Sequence, residues 1–211
     1  MMNYLVARKN QLILIFTLAY LAAFTANAIF WANFEFLYYT FLISILIYSV
    51  IIIHQNLHLG FFILVNLSLL GFFHLLGGNF YFYGLRLYDF YFIPGIIRYD
   101  NFVHAYGTFI ATVAFYSLLS NFISIDLKKR YPIFALILIL LAIGMGTIVE
   151  LVEFLAVVIF GVTGKVGDYF NNTLDLFFNT LGATLATVVI YFYRERPQFI
   201  KKLNGENQDS H

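Results

Sequence analysis

The sequence contains no cysteine. That excludes thiol nucleophiles, disulfides, iron–sulfur ligation and cysteine-based zinc sites. Charge is the next shortage: of 211 residues only 11% are Asp, Glu, Lys or Arg, less than half of the roughly 25% that a soluble domain carries. A water-soluble globule is therefore excluded. A net charge of +1 gives no electrostatic reason to expect a nucleic-acid partner. The sequence also lacks G-x-S-x-G and H-E-x-x-H, so the usual nucleophilic-hydrolase and zinc-protease signatures are missing. Apolar side chains fill the space instead: 62% of residues are hydrophobic, 20% are aromatic, and the mean hydropathy is +0.84.

Covering a 30 Å hydrocarbon slab takes about 20 apolar residues per helix, so this length holds roughly six or seven spans joined by short loops. Apolar runs bounded by polar residues, Gly or Pro predict six helical spans, at about 11–30, 34–54, 60–76, 100–120, 133–160 and 173–193. The expected fold class is an all-α polytopic transmembrane helix bundle, with residues 1–193 as one membrane domain and 194–211 as a short polar tail. The run at 133–160 is longer than a bilayer needs and should tilt, or continue along the surface, before Gly161 ends it. Residues 77–98 hold eight aromatics, two Arg and one Asp, which suits an interfacial loop of the aromatic-belt kind. Arg8 and Lys9, an apolar stretch and Ala26-Asn27-Ala28 also fit a cleavable signal peptide. The second apolar run begins so soon afterwards that an uncleaved first span is the better reading.

Lysine and arginine set the orientation. With both ends inside, the inner segments hold nine of the twelve cations and the outer segments hold only Arg86, Arg98 and Lys165. Such a bias places both termini in the cytoplasm. Helix rise then gives each polar residue a depth. His74 falls near the outer end of the third span, and Asp100 opens the fourth with His104 about 6 Å deeper. Glu150 lies about 25 Å from the start of the fifth span, with Glu153 one turn further out, and Asp175 and Asn179 occupy the first turns of the sixth. All of them reach the outer third of the membrane. Ionisable groups at that depth normally face the bundle interior and mark a site. Their spacing agrees, because Asp100/His104, Glu150/Glu153 and Asn171/Asp175/Asn179 each share one helix face. Gly182 and Ala186, and likewise Gly144 and Gly146, continue these stripes with small residues suited to close helix contact.

Plainer readings stand beside these. Asp100 fits an N-cap, Asn171 or Asn172 fits a cap of the sixth helix, and Asp168 fits an exposed loop carboxylate. His54 and His58 suit a solvated interface, and Glu150 and Glu153 could pair with Arg98 or Lys165.

The strings IRYDNFVHAYG (97–107), VELVEF (149–154) and GKVGDYFNNTLDLFFNTLGA (164–183) resemble the YjdF-like family of uncharacterised bacterial and archaeal membrane proteins. In that family an R-N-x-Y-D-x-x-x-H segment precedes Y-E-x-x-E-W and G-D-x-x-D-x-x-x-D-M segments. The resemblance singles out Arg98, Asp100, His104, Glu150, Glu153, Gly167, Asp168 and Asp175, and implies the plasma membrane of a prokaryote. Where the family has a second acid before Asp175, this sequence has Asn171 and Asn172. That departure weakens a carboxylate-rich metal cage. A looser resemblance, through Asp175, Asn179 and Gly182 after the two earlier segments, is to VanZ-like membrane proteins, which are associated with glycopeptide tolerance.

The outer cluster sets Asp89, Asp100, Glu150, Glu153, Asp168 and Asp175 against Arg86, Arg98 and Lys165, a net acidic site. It suits a divalent cation, a proton relay or a cationic head group better than a bare phosphate. The expected catalytic residues are His104, Glu150, Glu153 and Asp175, with His74, Arg98, Asp100, Asp168 and Asn179 in support. If a divalent metal ion is the cofactor, His104 and Glu150 are its expected ligands. The expected partners are the lipid bilayer and a lipid or envelope amphiphile. One function is an enzyme acting on that amphiphile. Another is a non-catalytic envelope ligand-binding or stress-tolerance module. A transporter is less favoured, because the inner halves of the third to sixth spans carry no acid or His and no inverted repeat is evident.

Overall fold

The computed structural model describes residues 2–120, 122–123, 129–161, 169–194 and 203, with side chains from Arg8 onward. Six helices dominate it: α1 (Met2–Phe30), α2 (Phe34–Leu57), α3 (Phe61–Asn79), α4 (Tyr99–Leu119), α5 (Tyr131–Phe160) and α6 (Tyr169–Tyr193). Each is long and apolar enough to cross a membrane. They match the six expected spans, the largest differences being that α1 starts nine residues earlier and α6 four residues earlier. Helix α5 is unbroken over its 30 residues, about 45 Å at 1.5 Å per residue. It stops where Gly161 turns left-handed (φ 66°) and its N–H closes on the Val157 carbonyl.

The expected interfacial loop between α3 and α4 is two small hairpins. Strand β1 (Tyr81–Phe82) pairs antiparallel with β2 (Leu85–Arg86), and β3 (Tyr91–Ile93) with β4 (Ile97–Arg98). Tyr83 and Gly84 both have positive φ, as the tight two-residue turn between β1 and β2 demands. A 3-10 turn, Leu87–Asp89, joins the hairpins and sends Tyr88 down into the bundle.

Helix α4 is the axis of the fold. It packs most extensively on α6 and also against α5 and α3, while α1 lies on α3 with α2 beside it. Buried residues occupy much of the circumference of α4. On α2 they are confined to Glu35, Phe36, Tyr39 and Thr40, at the hairpin end. Two apolar clusters result. Phe36, Leu75, Tyr88, Tyr99 and Val103 pack at the hairpin end, and Ile63, Tyr116, Phe134, Leu138 and Ile190 at the opposite end. Leu203 inserts into the second cluster. Its carbonyl accepts from the Gly60 N–H (2.7 Å) and the Ser117 hydroxyl (3.2 Å).

The close contact of α6 with α4 and α5 depends on two glycines. A Cβ on Gly182 would run into the Ala105 carbonyl and the Thr108 hydroxyl, and one on Gly146 into the Asn179 amide. Gly144, expected to act alongside Gly146, does not: it is exposed, and a Cβ there would meet nothing. The helical period explains this, since residues two apart point to different faces. Gly182→Val should therefore lower the thermal unfolding temperature of the detergent-purified protein, at a cost of about 1–3 kcal/mol for overpacking. Gly144→Ala should leave it unchanged or slightly raised.

Candidate functional site

The site lies at the hairpin end, where α4, α5 and α6 meet. Arg98 is the N-cap residue of α4, and its backbone N–H donates to Asn101 Oδ1 (2.9 Å). Asp100 therefore sits inside the first turn and is not the cap. Its carboxylate is favourably placed against the N-terminal end of the helix dipole. One turn on, His104 is 7% exposed. Its Nε2 is 3.6 Å from Asp100 Oδ1, while its Nδ1 is 3.6 Å from Glu150 Oε1 on α5 and 3.3 Å from Asn179 Oδ1 on α6. A single imidazole thus gathers three helices.

Beside it, Asp175 on α6 is fully buried (0% exposed). Its Oδ1 accepts from Asn101 Nδ2 and its Oδ2 from Asn171 Nδ2, both at 2.8 Å. Asn171 Oδ1 in turn accepts from Arg98 Nη1 (2.6 Å). The Arg98 Nε donates to the Tyr91 hydroxyl (2.8 Å), and the guanidinium lies 5.0 Å from that ring's centre. Hairpin, guanidinium, amide, carboxylate and amide thus form one chain that starts and ends on Arg98. Among the described residues Arg98 makes no ion pair with Glu150 or Glu153. Asn171 lies within α6 and is not its cap, and Asn172 is exposed.

Glu150 and Glu153 fall on the narrow inward stripe of α5. Tyr131, Phe134, Leu138, Ala142, Gly146 and Ala156 are its buried members, and the two acids take the positions between Gly146 and Ala156. Neighbours such as Ile148, Leu151, Phe154 and Leu155 are exposed. The acids therefore point into the bundle, as their spacing predicts.

His74 belongs to the hairpin contact. Tyr88 Oη lies 2.5 Å from His74 Nδ1, with the rings of Tyr39 and Phe36 alongside. Burial holds the Tyr88 phenol well above its ordinary pKa, and Asp100 and Glu153 push it the same way. The phenol therefore keeps its proton and shares one hydrogen bond with His74 Nδ1. No hydrogen bond or ion pair links His74 to His104 among the described residues.

Three participants were not anticipated from the sequence, and a fourth, Asn171, was expected only to share a helix face with Asp175 and Asn179. Asn101 and Asn171 are the amides that clasp Asp175. The only available signals were the adjacency of Asn101 to Asp100 and the i,i+4 spacing of Asn171 and Asp175. The others are Glu35 and Tyr88. Glu35 is buried (5% exposed) at the start of α2, with Oε1 3.5 Å from Arg86 Nη1, whose Nε bonds Asp89 Oδ2 at 3.2 Å. Burial of Arg86 opposes its charge, but Asp89 and Glu35 outweigh that and raise its pKa above the ordinary value. Asp168, Lys165 and Gly167 lie outside the described residues.

For a divalent ion, one ligand atom each from Asp100, His104 and Asp175 converge within 4.8 Å of one another. Glu150, expected with His104 as a ligand, is not in that set. Two carboxylates and an imidazole suit a borderline cation, although both Asp175 oxygens already accept amide hydrogen bonds.

The pattern of a family described as predicted membrane protein (DUF2238) matches residues 12–196. The match agrees with the resemblance to YjdF-like membrane proteins and brings no likeness to VanZ-like ones. No curated protein and no solved structure matches the chain.

The Asp175 clasp has a measurable consequence. Asn101→Ala removes one amide donor from a fully buried carboxylate and should destabilise the protein by about 1–3 kcal/mol. Asn172→Ala, on the exposed face one residue from Asn171, should stay within about 0.5 kcal/mol. Thermal unfolding of the two variants beside the unmutated protein checks this.

Proposed function

We propose that this chain, which belongs to the DUF2238 family of predicted membrane proteins, is a membrane-embedded enzyme that uses His104 as a general acid/base on an amphiphile. The positive-inside bias of the sequence makes the hairpin end the outer one, so the substrate would come from the outer leaflet. One observation carries the reading: a buried imidazole has a carboxylate on each ring nitrogen, Asp100 at Nε2 and Glu150 at Nδ1, both at 3.6 Å. Partners on both nitrogens hold the ring in one orientation. A proton can then pass through one nitrogen while the other stays held.

The remaining roles follow from burial. The side chains of Glu150 and Asp100 are 13% and 15% exposed, so they are where the centre reaches outward and a substrate group could meet it. Asp175, with no exposed surface and both oxygens occupied, is a positioning residue. It fixes Asn101 and Asn171, and through them Arg98. Glu153, within the electrostatic reach of Tyr88 and of His104, extends the acidic lining beneath the hairpins. Proton transfer by a positioned side chain contributes roughly 10²–10⁴-fold to a rate, so no covalent nucleophile has to be supplied.

A second reading, a non-catalytic module that holds an envelope ligand, is favoured by one feature. Tyr88, on the turn between the aromatic hairpins, is seated on His74, and Tyr91 of the second hairpin bonds Arg98 beside the centre, so the hairpins are anchored at the same end as the centre. Wild-type protein, Glu150→Gln and His104→Asn, each reconstituted in vesicles with extracted envelope lipids, separate the two readings by mass spectrometry. Enzyme activity predicts a product with wild type that falls at least about a hundredfold in both variants while their unfolding temperatures hold. Co-purified ligand with no product from wild type would leave the binding module.

A further inference from the structure

The centre at the hairpin end also has the donor set and the spacing of a metal site. One ligand atom each from Asp100, His104 and Asp175 lies within 4.8 Å of the other two. Metal–ligand bonds of about 2.1 Å put tetrahedral ligands about 3.4 Å apart, and His104 Nε2 and Asp100 Oδ1 stand 3.6 Å apart. Two of the three groups are thus already at ligand spacing, and the third is close to it.

The imidazole itself calls for a cation. A neutral ring carries one proton, but each nitrogen of His104 faces a carboxylate oxygen at 3.6 Å, Asp100 Oδ1 at Nε2 and Glu150 Oε1 at Nδ1. Whichever nitrogen holds the proton, the other turns a lone pair toward an acid. On the Nδ1 side, Glu150 Oε1 and Asn179 Nδ2 are buried atoms engaged in no hydrogen bond, and the Asn179 side chain, 1% exposed, is aimed at the same ring with its Oδ1 3.3 Å from Nδ1. A ring proton on Nδ1 supplies Oε1 with a donor. That leaves the Nε2 lone pair facing Asp100, an arrangement that a second proton or a metal ion makes attractive. Asp175 favours the metal, because a proton is shared by one pair of atoms whereas three converging ligand atoms suit an ion with several coordination positions.

The surroundings are those that bound metals have. Ligating carboxylates are themselves hydrogen-bonded, and a ligating imidazole rests its other nitrogen on a carboxylate or a carbonyl. Asp175 has Asn101 and Asn171 at 2.8 Å, and each of its oxygens keeps a second lone pair for an ion. His104 Nδ1 has Glu150 and Asn179. The Asp100 side chain, 15% exposed, gives an entry. One imidazole with two carboxylates suits a zinc-class ion. Calcium takes six to eight oxygens, and magnesium keeps several waters and prefers oxygen throughout.

We propose that Asp100, His104 and Asp175 bind a divalent transition-metal ion of the zinc class, with Asn101, Asn171, Glu150 and Asn179 holding the ligands in place. The binding does not depend on the reaction assigned to His104. Its consequence rests on that reading: an ion on Nε2 withdraws that nitrogen from proton transfer, so the metal-bound form is the inactive one. The test takes the full chain in maltoside micelles, strips it with EDTA, dialyses it against zinc chloride and counts bound zinc by elemental analysis. One saturable equivalent per chain is expected, with magnesium chloride not competing. Cobalt(II) chloride should give visible absorption bands that zinc abolishes. Removing a ligand costs at least as much as removing one of its supports, about tenfold in affinity, so Asp100→Asn and His104→Asn should each weaken binding by at least that. Asp100 is partly exposed in the first turn of α4, so its replacement keeps the test valid if His104→Asn fails to fold. His58→Gln, exposed at the far end of the bundle, should bind as wild type does. No zinc equivalent in wild type, undiminished binding in folded Asp100→Asn, or lost binding in His58→Gln would overturn the proposal. None of these readouts involves a product, so the acid/base reading and this site can each fail alone.

Discussion

A carboxylate with no exposed surface, inside an apolar bundle, is the constraint around which the hairpin end is organised. Leaving a polar group buried without a partner costs several kcal/mol, and Asp175 avoids that cost because Asn101 and Asn171 each place an amide on one of its oxygens. Asn171 reaches Asp175 within α6, but the Asn101 bond needs α4 and α6 to run close together, which Gly182 permits by letting the α6 backbone meet the Ala105 carbonyl. Asn101 also receives the N–H of Arg98, the cap residue before α4, and Asn171 receives the Arg98 guanidinium, which donates as well to Tyr91 on β3. The pose of the second hairpin is thus tied to a carboxylate on the sixth helix.

This arrangement explains how a chain so poor in charge can keep acids inside. Helix α5 exposes about half of its residues and reserves one stripe for the interior. Within that stripe small or apolar residues hold every position except those of Glu150 and Glu153. The acids do not interrupt the lipid-facing surface, so the apolar run reads as one span although two carboxylates lie within it. His104 then joins the stripe of α5 to that of α6, because its Nδ1 faces Glu150 and Asn179 at once.

The six spans and the gathering of polar residues at one end were legible in the sequence, because both depend on periodicity and on the cost of charge in hydrocarbon. Asp100 with His104, and Asp175 with Asn179, share faces as i,i+4 spacing requires. The clasp itself was not legible. An asparagine carries no net charge, and a carboxylate's choice between two neighbouring amides depends on helix rotation, which a sequence period leaves open by a residue or so. Asn171 thus looked like a lost acid, a cap or a mere neighbour on the face of Asp175, when it is a donor to Asp175. Glu35 was hidden for a different reason: at the mouth of a long apolar run it looks solvated, and only the fold brings Arg86, 51 residues away, down onto it. The hairpins were masked by their own composition, since dense aromatics suit an interface whether or not the backbone pairs.

The insertion of Leu203 bears on the order in which the bundle can be completed. Its side chain fills the cluster formed with Leu59 and Ile63, and its carbonyl holds both the turn before α3 and the end of α4. During synthesis from the N-terminus, α3 and α4 emerge long before residue 203. Until the last helix has entered the bilayer and Leu203 has reached its place, the end of the bundle away from the hairpins has an apolar gap. The hairpin end can pack as soon as α6 arrives, so the two ends of the same helices mature at different times.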